Sequence, residues 1–222
     1  PSDDDKEMKQ VDGGGDIPST AVKLQENLVT LKKRGRLLEA SYEAIRFQKL
    51  DVFTVTLRQI GAYLAKTLLT DAVTILKDGD GNSNPATVTN VASAGKLTYT
   101  DLLTLWSKFE SYEMNTMLVA PDVMLKMLEI EEFKNPLTGL NFQGTGRLTT
   151  PLGATLIKTS SVPTGYIIGL DKRCALERVI AADVSVEYDK LIDKQLERAA
   201  ITTITGFTKI FKDACQVLKV NA

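Results

Sequence analysis

The sequence predicts an α+β fold, on three observations. Residues 50–77 form the longest apolar-periodic run of the 222-residue chain, and no proline interrupts them. Strand-like alternation recurs late, at 166–170, 174–180, 184–188, 199–210 and 214–220. Helical and strand segments do not follow one another in the regular βαβ order of a parallel-sheet enzyme.

Within the long run, Phe53, Leu57, Ile60, Leu64, Leu68, Ala72 and Ile75 succeed one another by three or four, which places them on one stripe of a helix over residues 51–77. Val52, Val55, Tyr63, Val73 and Leu76 form a second apolar set, so the helix is expected to be covered on more than one side. At about 1.5 Å per residue it is about 40 Å long, a spine rather than one rod of a compact globule. The threonine-spaced start, Val52 to Leu57, also fits the end of a strand. Asp71 falls inside the first stripe, where a carboxylate must be paired or reach solvent. Gly79 and Pro85 then stop the helix.

Before the spine, residues 1–17 are acidic and glycine-bearing, the composition of a flexible arm. The chain opens on Pro1, which suggests removal of something upstream, by proteolytic maturation or as a tag remnant around Asp3, Asp4, Asp5 and Lys6. Residues 24–38 place apolar flanks around Lys32, Lys33, Arg34, Gly35 and Arg36, the pattern of a hairpin with a basic tip. Such a ribbon needs a neighbour to lie on, and its charge invites an acidic one; a solvated turn is the plainer alternative. Ser41 opens a short helix ending near Lys49.

After the spine, Asp78, Asp80 and Asn82 imitate a calcium loop, but Ser83 and Thr89 stand where the glycine and bidentate glutamate belong. The stretch reads as a turn. A helix begins at Thr100-Asp101 and carries Leu102, Leu105, Trp106 and Phe109 toward the core. Residues 115–120 form a buried strand, and Pro121-Asp122 starts the next helix. Met114, Met117, Met124 and Met127 read as gap-filling core. Residues 134–165 are broken by glycine and proline into a loop-rich stretch with short strand-like pieces.

Composition excludes much chemistry. The chain has no histidine, which removes Ser-His-Asp and Cys-His catalysis and histidine-ligated zinc. Cys174 and Cys215 are too few and too far apart for a metal cluster, and read as reduced, buried thiols of a cytosolic setting. A net charge of −1 argues against a polybasic nucleic-acid binder, and no run approaches the length of a membrane span. Phosphate-loop and dinucleotide fingerprints are missing. Asp183, Glu187, Asp189, Asp193 and Glu197 could pair carboxylates for acid/base work, but Lys190, Lys194 and Arg198 are interleaved, so a self-neutralised or subunit-facing segment is the better reading. No catalytic residue, cofactor site or metal site is expected.

Four phrases, in order, carry a resemblance: GRLLEASYEAIRFQKLD before the spine, ILKDGDGNSNPA after it, MLVAPDVMLKML in the middle, and VSVEYDKLIDKQLERAAITTITGFTKIFKDACQVL at the end. From residue 24 onward the chain resembles the major capsid proteins of tailed bacteriophages, with the Hong Kong 97 capsid fold. The acidic arm has no counterpart. The resemblance implies an N-terminal arm (1–23), an extended E-loop hairpin with a short helix (24–50), a peripheral domain on the spine helix (51–135 and 195–222) and an axial domain (136–194).

It further implies hexamers and pentamers tiling an icosahedral shell around double-stranded DNA, with portal and decoration proteins as partners, in a virion assembled in the host cytoplasm. DNA contact is then weak and sequence-independent. On that reading, Lys32, Lys33, Arg34 and Arg36 at the E-loop tip lie over an acidic face of a neighbouring subunit, with Asp183, Glu187, Asp189, Asp193 and Glu197 as candidate partners. Two alternatives stand beside it: an encapsulin-type nanocompartment shell, and a carboxylate-based hydrolase.

Overall fold

The computed structural model describes residues 29–47, 52–134 and 152–220. The expected arm, the outer part of the expected hairpin (24–28) and residues 135–151 of the loop-rich stretch lie outside the described residues. The described strands fall into two sheets. Strands β2 (Thr87–Asn90), β3 (Thr116–Val119), β4 (Thr155–Lys158), β5 (Tyr166–Leu170) and β8 (Cys215–Lys219) form one, in the order β2-β8-β5-β3-β4. Strands β1 (Lys32–Ser41), β6 (Leu176–Leu191) and β7 (Leu196–Lys209) form the other, antiparallel throughout and ordered β1-β7-β6.

The five-stranded sheet carries the core. Its central strands β3 and β5 have almost no polar alternation, as strands buried on both faces require. Leu102 and Leu105 of α3 (Tyr99–Ser107), with Val123 and Met127 of α4 (Pro121–Leu128), are fully enclosed against Met117, Ile167, Ile168 and Leu218. All four expected core methionines are buried. Pro121 opens α4, where its missing N–H costs nothing. Helix α3 starts one residue before the expected position because Thr98, not Thr100, caps it: the Thr98 hydroxyl and the Asp101 carboxylate exchange hydrogen bonds with each other's backbone amides. Trp106 departs from expectation. It is 49% exposed, because the buried stripe of α3 is centred on Leu102 and Leu105 and Trp106 stands at its margin, on the side of Leu102 away from Leu105. Cys215 is buried, but Cys174 is only partly so.

The spine is helix α2 (Val52–Asp78), preceded by the short α1 (Tyr42–Phe47) and continuous from its first turn, so the strand alternative for its start is not realised. Every member of the expected inward stripe is at least partly buried. The second apolar set divides: Val73 and Leu76 are buried, while Val52, Val55 and Tyr63 remain exposed. Cover on a second side thus exists only near the C-terminal end.

The basic hairpin is a correction. Residues 32–41 form one uninterrupted strand, paired in register from Lys32↔Thr205 to Ser41↔Leu196. Gly35, which suggested a turn, serves close strand approach instead: a Cβ there would lie 2.8 Å from the Ile201 carbonyl oxygen and 2.9 Å from Thr202 Cγ2. Lys32, Lys33, Arg34 and Arg36 are therefore in a strand body, not at a tip. The expected domain boundary at 194/195 also falls in the turn of the β6–β7 hairpin. Strands β4 and β5 of the expected axial segment share a sheet with β2, β3 and β8 of the expected peripheral ones.

Candidate assembly interface

A long two-stranded ribbon is made by β6 and β7. β7 alternates between buried and half-buried positions over almost its whole length, as a half-covered strand should. Residues directly opposite in an antiparallel pair share a face, so Arg34, Arg36, Ile201, Thr203, Val186 and Tyr188 lie on the α2 side, while Lys33, Thr202, Glu187 and Asp189 lie on the other. The spine covers β1 and β7 but leaves β6 bare. Ile180, Val184, Val186 and Tyr188 are exposed along β6, whose outer edge pairs with no other strand among the described residues. A free edge of this length with apolar side chains is a template for association. At the ribbon's end, Gln195 takes φ 51°, Lys194 and Gln195 close the turn onto the carbonyls of Leu191 and Ile192, and Ile192 stands 80% exposed.

Three carboxylates act as polar staples, two of them in the spine and ribbon unit and one in the five-stranded unit. Arg34 Nη2 donates to both Asp71 oxygens at 2.8 Å and Lys32 Nζ to one at 3.2 Å, which satisfies the carboxylate inside the apolar stripe. Beyond the spine, Asp80 accepts from the Thr208 hydroxyl at 2.8 Å and the Lys209 amide at 2.9 Å. Burial pushes Asp80 up, but those donors and the side chain and amide of Asn82 outweigh it and hold the carboxyl at about 2. The calcium-like loop is thus a staple between α2 and β7. In the larger unit, Asp171 is bonded by the Arg173 guanidinium, by the Arg173 and Glu113 amides and by Asn115, and the guanidinium above all holds it far below the usual carboxylate range.

Lys209 is a residue that sequence reasoning missed, since a lysine at the end of an alternating strand reads as surface. Its side chain is completely buried and Nζ donates to the Leu76 carbonyl at 3.0 Å, near the C-terminal end of the spine. Burial lowers its pKa, while the position meets the negative end of the helix dipole. Cys215 Sγ approaches the same carbonyl at 3.5 Å, and burial raises that thiol to about 11, which makes it inert.

The sequence-derived site residues are dispersed over this surface. Asp183 sits at a bulge, accepts from the Val184 amide at 2.8 Å and lies 4.0 Å from Arg178. Glu197 pairs with Lys190 across the ribbon at 2.9 Å, and the contact raises the lysine's pKa. Glu187 and Asp189 are exposed on the face away from the spine, and Asp193 is in the turn. Arg198 reaches Glu39 of β1 at 2.7 Å. Among the described residues, no cluster of three or more acidic or cysteine ligands could hold a metal. The shifted carboxyls, Asp80, Asp101 and Asp171, all move downward and stay ionised, the opposite of what a general acid at neutral pH needs.

A family model described as phage capsid protein matches residues 25–207. No curated protein matches the chain. Among solved structures, the capsid of cyanophage P-SCSP1u superposes with a TM-score of 0.64 at 15% identity, covering 94% of this chain and 80% of that one. Mycobacterium phage Che8 gives 0.65 at 11% identity over 84% and 70%. The SrpI encapsulin of Synechococcus elongatus PCC 7942 gives 0.64 at 16% identity over 85% and 73%. At such identities the likeness speaks for the fold, which is that of Hong Kong 97-type shells. The chain is a structural shell-forming protein and not an enzyme, which removes the hydrolase alternative. By the match over residues 25–207 the chain belongs to the phage capsid protein family.

Proposed function

We propose that this capsid protein assembles as hexamers and pentamers into an icosahedral phage head that encloses double-stranded DNA, with portal and decoration proteins completing the particle in the host cytoplasm. The observation that supports it is the spine and ribbon unit, whose exposed apolar edge from Ile180 to Ile192 no described element of the same chain covers. Identical subunits in head-to-tail contact close into rings when the rotation permits, and rings tile a shell. In this reading α2 with the three-stranded sheet is the peripheral domain, the five-stranded sheet unit is the axial domain, and β1 is the inner strand of the E-loop.

Charge would orient the contact. Lys32 and Arg34 are committed to Asp71, so the basic side of the interface falls to Lys33 and Arg36, facing Asp183, Glu187, Asp189 and Asp193 of a neighbour, Glu197 being held by Lys190. Contact with DNA is weak and sequence-independent. The likeness to an encapsulin favours one second reading, a protein-filled compartment. Size-exclusion chromatography and negative-stain microscopy test the first step, since a 24.3 kDa monomer and a shell cannot be confused. The nucleic-acid and protein content of nuclease-treated particles from infected cells decides the second: protected double-stranded DNA supports a head, and a bound enzyme supports a compartment.

A further inference from the structure

Between α2 and β1 lies a cavity of about 230 Å³, walled by Ile60, Leu64 and Ile201 and rimmed by Tyr63, Arg34 and Arg36. Thr67 and Gly35 complete the lining, so aliphatic groups stand there beside polar ones and two cations. Arg34 is turned toward Asp71, whereas Arg36 has no ion pair among the described residues. A matching object exists on the same chain: Ile192, the most exposed large apolar side chain of the described residues, followed directly by Asp193 in a tight turn. The turn cannot enter its own cavity. β7 is paired with β1 without a break from Thr205 to Leu196, so the turn stands at least five residues of strand beyond Ile201, about 16 Å away.

We infer that the β6–β7 turn of one copy docks in the α2–β1 cavity of the next, Ile192 filling the pocket and Asp193 meeting Arg36. This specifies a contact within the shell-forming reading and rests on it. The two surfaces are different patches on one chain, so the contact is heterologous and propagates from copy to copy. An exposed isoleucine seated between aliphatic walls and an aromatic rim supplies the apolar anchor, and the single carboxylate beside the two cations sets its register.

The test uses the full chain. Ile192→Glu is expected to raise the concentration needed for assembly by about tenfold or more, the effect of losing one anchor at each contact, while the monomer's circular dichroism and melting temperature stay unchanged. Asp193→Arg and Arg36→Glu should each weaken assembly, and the two together should restore it. Mixing Ile192→Cys with Tyr63→Cys subunits should give a disulfide-linked dimer in oxidised shells, seen on a non-reducing gel. Normal shells from Ile192→Glu, or shells without that crosslink, overturn the contact but leave the shell-forming reading intact. If deletion of residues 1–17 empties the cavity instead, measured by new reactivity of Tyr63→Cys, the chain's own acidic arm is the occupant and the inference fails. A wild-type chain that never leaves the monomer peak ends both.

Discussion

The five-stranded sheet unit and the spine and ribbon unit differ in where their apolar surface goes. In the first, facing elements enclose Leu102, Leu105, Met117, Met127, Ile167 and Ile168 completely. In the second, α2 buries its inner stripe only partly and adds Val73 and Leu76 to the common core at its C-terminal end, while Tyr63 and Tyr188 stand more than two-thirds exposed. One unit is stabilised by burial. The other is positioned by polar staples at Asp71, Asp80 and Lys209, with apolar surface left over. Full enclosure is thus concentrated in the first unit, although Leu125 of α4 is as exposed there as Tyr188 is in the second.

The widest separation should come from truncating one side chain in each unit. Leu102→Ala leaves a cavity at a site with no exposure and is expected to cost about 3–4 kcal/mol, seen as a large fall in the denaturation midpoint of the soluble subunit. Tyr188→Ala removes more atoms from a site 67% exposed, and should change the subunit's stability by about 0.5 kcal/mol or less. Its effect should be on particle yield. Equal losses of stability from the two substitutions would erase the contrast.

Gly35→Ala comes next. The new Cβ would meet the Ile201 carbonyl and Thr202 Cγ2, backbone and a stiff side chain, so β1 must move away from β7. The expected cost is about 2 kcal/mol, with faster hydrogen exchange of the β1 amides and unchanged exchange in β5. Loss of protection in both sheets would mean that the two units unfold together.

Acid should then discriminate between staples. Asp80 titrates at about 2 in the folded chain against an ordinary 3.8, so folding favours its ionised form. Its contribution is complete above about pH 4 and is lost as pH falls toward 2. After allowance for solvent screening this is about 1–2 kcal/mol, read as the difference in unfolding free energy between pH 5 and pH 2.5. Asp80→Asn should flatten that difference. Asp171 lies lower still, so the five-stranded unit should outlast the α2–β7 joint as the solution is acidified.

How much of this was legible in the sequence follows the same division. Local signals placed the spine within a residue at each end, opened α4 at Pro121 and marked Tyr166–Leu170 as a strand, because periodicity and turn chemistry are properties of neighbouring residues. The ribbon was misassigned because its pairing is remote: β1 meets β7 across more than 150 residues of chain, and a glycine among basic residues signals a turn as readily as a close strand approach. Asp71 announced that it needed a partner, but only the register of β1 identified Arg34 and Lys32. Lys209 gave no signal at all, since the helix end that receives it lies far away in sequence. Trp106 shows another limit: helical spacing places it near Leu102 and Leu105, but the width of the face that neighbouring elements cover is set by the tertiary packing.

The smallest expected effect is a gain, and it sits in the less buried unit. Gly61 lies in the interior of α2, and a Cβ built there would meet nothing within 4 Å. Glycine in a helix interior carries a backbone entropy cost that alanine does not, so Gly61→Ala should stabilise the subunit by about 0.5–1 kcal/mol, measured by denaturant titration. The substitution touches neither the Asp71 staple nor the cavity walls at Ile60 and Leu64 beyond their shared helix. If stability alone governed assembly, the variant would form particles at least as readily as the wild type. A stiffer spine that lowers particle yield while raising the denaturation midpoint would show that the chain keeps Gly61 for the motion of α2 during assembly, and would place the two properties on opposite sides of one residue.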